Sequence, residues 1–425
     1  MTIMLYPIGI QNFPDIREGG YVYVDKTSQI YSLASTGVYY FLSRPPRFGK
    51  SLLVSTMEAY FQGRKELFKG LAIESLEKNW TEYPVLHLDL TGSRYTSVAD
   101  LQELLAQQLD KWEDAYGKLG DYSSPALRFD AVITSAYQKT GNEVVILIDD
   151  YDKPVVDNID NPELMDSFRR ELLNFYSVIK GKDKFIRFAF LTGVTKLGNM
   201  SVFSDFNILT DISMYSEYSD ICGVSEDELK SYFDENVEEL AENNELTKND
   251  CYAKLKVRYG GYHFCENALG VYNPSFLLNC FRTNEFGSFL CESRTPAFLA
   301  HCLKTGCHNL NSITMDCIPP WTLTGTNCER PDPITLMYQT GYLTIKGYDS
   351  RFDAYYLDYP NYEEKWRILS SLSLLYAPAL IYGEFSVYNF VKDIERGDVE
   401  SFMTRFTAFL SGNDYEIQGD LELYF

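Results

Sequence analysis

Arg44-Pro45-Pro46-Arg47-Phe48-Gly49-Lys50-Ser51 stands between two stretches of opposite periodicity. Before it, Gly37 to Leu42 (GVYYFL) is a continuous apolar run that reads as a buried strand. After it, Ser51 to Phe61 places Leu52, Leu53, Thr56, Met57 and Tyr60 on one helical face. A glycine-containing loop that ends a strand and opens a helix turns backbone amides towards an anion. The ending Gly49-Lys50-Ser51 adds a flexible backbone, a cation and a hydroxyl. This is the chemistry of a phosphate loop: Lys50 for the β- and γ-phosphates of a nucleotide, Ser51 for Mg²⁺. Arg47, Phe48, Gly49, Lys50, Ser51 and Leu52 are therefore the expected nucleotide-binding residues. Arg44 stands where the standard pattern has glycine.

Working outwards, Pro84 to Leu90, Glu143 to Ile148 and Phe185 to Leu191 are further apolar strand candidates. Helical stretches separate them, Ser97 to Gly117 and Pro162 to Lys180 among them. Strands without polar alternation, spaced by helices, imply a parallel sheet covered on both faces. The expected fold is α/β, a P-loop nucleoside-triphosphatase (NTPase) core with a parallel sheet. The Glu143 to Ile148 strand runs directly into Asp149 and Asp150. Asp149 is placed to hold Mg²⁺, and Asp150 to polarise the attacking water; the alternative is two acids capping the next helix. Thr192 and Thr195 end the last strand, where a hydroxyl could sense the γ-phosphate, position water or cap the loop.

The chain carries 60 acidic and 38 basic residues, a formal charge of −22. Such a surface repels nucleic acid unless a local basic patch offsets it. Met1 to Asp15 shows no basic region followed by an apolar run. The longest uncharged stretches, Thr27 to Ser43 and Ile368 to Gly383, fall short of the ~20 residues of a membrane span. A cytoplasmic protein with no membrane partner is expected. All nine cysteines lie between Cys222 and Cys328, which marks a composition boundary. Their odd number favours free thiols. His301, Cys302, Cys307 and His308 lack the paired spacing of a zinc site.

Beyond Gly223 the pattern changes. Val224 to Glu245 reads as an acidic helix with Ser225 as N-cap, Glu228 three residues on and a solvated charged face. Gln339 to Asp358 reads as a β-hairpin. Val399, Phe402, Met403, Phe406, Phe409 and Leu410 form a helical stripe, and the sequence stops on Leu421 to Phe425 without a capping signal. The expected organisation is an ATPase core over 1–223, a helical lid and winged-helix-like region over 224–360, and a helical linker over 361–425.

Several stretches together resemble the AAA-ATPase-like family, bacterial proteins in which the ATPase precedes a PD-(D/E)XK-type nuclease. They are Leu5 to Thr27 with its Tyr-Val-Asp-Lys-Thr end, Arg44 to Phe61, Ile148 to Pro154 (IDDYDKP), and Leu191 through Asp211 to Gly223. Tyr259 to Phe264, Val271 to Pro274 and Gln339 to Thr344 match as well. The resemblance implies ATP and Mg²⁺ as ligands and a nuclease beyond Phe425, and through it DNA. A homo-oligomer is a further expected partner. Three residues depart from the family pattern: Pro46 replaces an Arg, Asp150 a Glu, and His263 an Arg. Asp150, one methylene short, implies slow hydrolysis; a nucleotide switch or scaffold with little turnover is the other reading. The Gly260-Gly261-Tyr262-His263 motif is expected to approach the nucleotide from above. Asp25-Lys26-Thr27 is expected at its base or phosphate edge, or in a turn.

Overall fold

The computed structural model describes residues 4–158, 161–196, 209–289, 317–323, 333–368 and 392–412. Five strands form the central sheet: β1 (Tyr39–Ser43), β2 (Val85–Asp89), β3 (Val144–Asp149), β4 (Ile186–Gly193) and β5 (Thr210–Asp211). Their order is β2-β3-β4-β1-β5, and every pairing is parallel. β3 shows why the strands read as unbroken apolar runs. Val145 and Leu147 enter the core on one face, and Val144, Ile146 and Ile148 the core on the other. Helix Lys50–Phe61 supplies Leu53, Val54, Met57 and Phe61 to the first core. Helices Val98–Tyr116, Pro125–Thr140 and Pro162–Lys180 cover the second.

After the sheet come β6 (Val224–Ser225) and helices Glu226–Asn243, Lys248–Tyr259 and Pro274–Thr283, with β7 (Val271–Tyr272) pairing back onto β6. These helices share a core that includes Leu229, Val237, Leu255, Tyr259 and Phe276. Tyr6, Val22 and Val24 of the N-terminal segment pack against it. Ser225 caps the first helix reciprocally with Glu228, as its sequence announces. Helix Pro333–Gln339 leads into a hairpin of β9 (Thr344–Asp349) and β10 (Ala354–Asp358), with β8 (Cys317–Ile318) on the outer side of β10. The chain is thus a P-loop-type α/β core followed by a helical unit, where the lid is expected, and a helix with a three-stranded sheet, where the winged-helix-like part is expected.

Helix Val399–Gly412 is present, with Val399 and Met403 exposed. His301, Cys302, Cys307 and His308, the 421–425 end, most of Phe289 to Asp332 and of Ile368 to Gly383, and the stretch after Lys196 lie outside the described residues. Cys222, Cys251, Cys265 and Cys280 are buried free thiols. Among the described residues, no group of three His, Cys, Asp or Glu could hold a metal ion, and no helix is long and apolar enough to cross a membrane.

Candidate functional site

β4 lies between β1 and β3, so the ends of those two strands flank one crevice at the carboxyl edge of the sheet, where open α/β folds bind ligands. The Arg44–Gly49 loop turns back from β1 into helix Lys50–Phe61. Gly49 is the N-cap, in the left-handed region at φ 94°, ψ 23°, and no side chain caps the helix. An added Cβ there would meet nothing within 4 Å, so glycine is needed for its conformation and not for space. The first helical N–H groups keep no side-chain partner and suit an anion. Arg47 is also left-handed, at φ 67°, and its side chain is exposed.

Lys50 is 6% exposed. Its ammonium donates to the Arg44 carbonyl at 3.3 Å and stands 3.6 Å from Asp150 Oδ1. Asp149 is buried, with Oδ1 unpartnered, and it receives a hydrogen bond from Ser51. Burial first, then the charge of Asp150, raises the Asp149 pKa to about 6 against the pull of Ser51 and Lys50. Asp152, also raised to about 6, owes its shift to burial and then to Asp150. Three carboxylates around one ammonium leave the crevice short of positive charge.

The structure brings Gly49, Lys50, Ser51, Asp149 and Asp150 together. Phe48 lines the hollow beside the loop, and Thr192 lies within the sheet. The Phe48 ring turns away from the loop face and packs edge-on against Tyr262 and Phe264, at 4.8 and 5.6 Å, so only its backbone is free for a phosphate. Thr192 is fully buried, and its hydroxyl donates to the Leu42 carbonyl at 2.9 Å within the sheet. Thr195 takes the loop-capping role: its N–H and hydroxyl donate to Asp152 at 2.6 and 2.7 Å.

Arg44, in the position usual for glycine, is 1% exposed. Its guanidinium donates to the carbonyls of Ser43, Ser213 and Tyr218 at 2.8, 2.8 and 2.9 Å and stacks 4.1 Å over Phe264. It anchors the base of the loop to the segment beyond β5 and to the lid. Arg44→Ala is expected to lower unfolding stability by about 3 kcal/mol or more, because it strips buried carbonyls of charged donors. Arg44→Lys should recover little of this, since one ammonium cannot span the same fork. An unchanged denaturant midpoint for the alanine variant would refute the assignment.

Tyr262 is the member of the Gly-Gly-Tyr-His motif that reaches the loop. His263 turns the other way, its backbone N–H on Thr344 and its ring on the Gly261 carbonyl. Gly341 (φ 84°) lies so close to Pro45 that a Cβ would come within 2.7 Å of it. The lid and the winged-helix-like unit therefore rest on the back of the loop. In Asp25-Lys26-Thr27, Asp25 and Thr27 have the turn role: Asp25 accepts from the Thr27 and Ala72 N–H groups, at 2.8 and 2.7 Å. Lys26 instead lines a hollow of about 640 Å³, open to solvent, that begins at Gly49 and Leu52. Val24, Ile221, Phe233 and Leu278 form other parts of its wall.

On the other flank, His87 Nδ1 meets Glu58 Oε2 at 2.8 Å. Burial acts to lower the His87 pKa, but Glu58, with Asp149 and Asp89 behind it, outweighs burial and raises it. A raised histidine stabilises the fold fully below its unfolded value of about 6.5 and loses that contribution as pH climbs through the folded value. Unfolding stability measured from pH 6 to 9 should therefore fall more in wild type than in Glu58→Gln, by up to about 1 kcal/mol. Parallel curves would remove the pair from the balance.

Residues 7–203 match the family model AAA-ATPase_like, described as a predicted AAA-ATPase. An uncharacterised protein encoded in the vnfD 5′ region of Azotobacter chroococcum mcd 1 is 36% identical over 413 residues, covering 95% of this chain and 77% of the relative. With the fold, these matches place the chain in the AAA-ATPase-like family.

Proposed function

We propose that the crevice binds ATP with Mg²⁺ and hydrolyses it slowly. The observation that carries this reading is the meeting, at the ends of β1 and β3, of an uncapped helix N-terminus, Lys50, Ser51 and a buried Asp149 oxygen without a partner. Ser51 and Asp149 fit a divalent cation that takes one or two protein oxygens and completes its shell with phosphates and water. The ion would neutralise phosphate charge. Lys50 would leave Asp150 and hold the β- and γ-phosphates, and the amides from Phe48 onwards would cradle them. Asp150, released, would accept the proton of the attacking water. The hollow beside Gly49 and Leu52 would take the base.

Divisions at 223 and 360 belong to this reading, with 361–425 leading towards a nuclease that turnover drives or gates. The Lys50–Asp150 contact favours a slow cycle and, at its limit, a switch with little turnover. Nucleic-acid binding by the second half is disfavoured by the net charge of −22, and Lys248, Lys256, Arg258, Arg351 and Arg367 each face a carboxylate. Phosphate release with ATP, with and without Mg²⁺, tests the proposal. Release that requires Mg²⁺ is expected. Neither binding nor turnover of ATP at millimolar concentration would overturn it.

A further inference from the structure

The hollow beside the loop is walled by apolar side chains, and Lys26 is the charged residue among the described ones lining it. Lys26 is 9% exposed. Its ammonium donates to both Glu228 oxygens, at 2.5 and 2.7 Å, while Asp220 stands 4.0 Å away. Glu228 is itself fixed by the capping box that begins helix Glu226–Asn243. A buried cation is thus paired with a carboxylate that is itself tied to the Ser225 N–H. An ammonium has three protons. The two Glu228 oxygens lie side by side and engage at most two of them, Asp220 lies beyond hydrogen-bond distance, and no hydrogen bond to another described residue uses the remainder. The charge bears on the pocket wall: burial raises the pKa of the Cys222 thiol, and Lys26 is among the cations opposing it.

We propose that Lys26 is a specificity-determining residue, whose remaining proton is donated to a hydrogen-bond acceptor on the nucleoside part of the bound nucleotide. This deepens the ATP reading above and rests on it. A base or ribose that offers an acceptor there gains a charge-assisted bond, and one that lacks it leaves a buried donor unpaired. Because Glu228 opens the lid helix, the same contact joins occupancy of the hollow to the lid.

The test is calorimetric binding of ATP, 7-deaza-ATP, 3-deaza-ATP and 2′-deoxy-ATP to the full chain. In wild type, at least one analogue lacking an acceptor should bind about tenfold or more weakly than ATP. In Lys26→Met that ratio should fall to near one. The double variant Lys26→Met/Glu228→Gln removes the carboxylate left alone by the single change, and its melting curve separates a damaged lid from lost recognition. A ratio unchanged in a double variant that melts as wild type overturns the inference while leaving ATP binding intact. Wild-type chain that binds none of the four nucleotides overturns the underlying reading and the inference with it.

Discussion

Lys50→Ala is expected to weaken ATP binding by about 10²–10³-fold. Hydrogen bonds to charged groups contribute about 1.5–3 kcal/mol each, and Lys50 would make two, to the β- and γ-phosphates. A loss of about 3–4 kcal/mol corresponds to that range. The structure adds a second consequence. Lys50 is buried and is the cation nearest Asp150, so its removal leaves Asp149, Asp150 and Asp152 without a counter-charge. Asp149 and Asp152 already hold protons up to about pH 6, so further proton uptake can absorb part of the repulsion. The nucleotide-free variant should therefore remain folded at neutral pH, though not unperturbed. Lys50→Arg should not restore binding, because a guanidinium is too wide for a slot that leaves lysine 6% exposed. Calorimetric titration with ATP, paired with melting curves without nucleotide, separates lost binding from lost fold. Wild-type affinity in a folded Lys50→Ala protein would remove the residue from the site.

The parts of this molecule that sequence exposes are those governed by local periodicity and by neighbours a few residues apart. β3 and β4 are legible because both faces of the strands are buried, which leaves no polar alternation. Helix Glu226–Asn243 is legible because Ser225 and Glu228 satisfy each other across one turn. β5, two residues at a sheet edge, has no periodicity to read. Helix Pro125–Thr140 had usable signals in Ser124, Pro125 and Gly141 but no apolar run to draw notice. At the site, Gly49, Lys50, Ser51 and Asp149 follow from two contiguous motifs. Lys26 finds Glu228 202 residues away and Arg44 finds Tyr218 174 residues away. No spacing rule connects such pairs, and by sequence Arg44 is only a residue standing where the standard loop has glycine, although its guanidinium anchors the loop. Asp152 is concealed likewise, because its partners Val194 and Thr195, 42 and 43 residues on, follow a different strand.

Asp150→Asn is expected to lower ATP turnover by about 10²–10⁴-fold, the usual worth of a positioned base. It should leave the backbone unchanged, because Asp150 sits at φ 48°, and asparagine tolerates that left-handed conformation as aspartate does. Binding should change little, since Lys50, Ser51 and Asp149 all remain. Asp150→Glu poses the opposite test. The extra methylene extends the carboxylate by roughly 1.5 Å towards the water and should raise the rate if reach is limiting. Glutamate at a left-handed position costs on the order of 1–2 kcal/mol. That cost falls on the fold and is shared by the ground and transition states, so it appears in the melting temperature and not in the rate. The longer side chain also need not keep the 3.6 Å contact with Lys50, which would free the ammonium before nucleotide arrives. Single-turnover phosphate release by wild type, Asp150→Asn and Asp150→Glu is the measurement. A faster Glu variant with a lower melting temperature would mean that the backbone at residue 150 trades rate for a shape only short side chains fit well. A fast wild type slowed by Glu would sink the idea of a base held short of its water. A slow wild type indifferent to Asn would make the Lys50–Asp150 pair part of a switch, opened by nucleotide and unconnected with water activation.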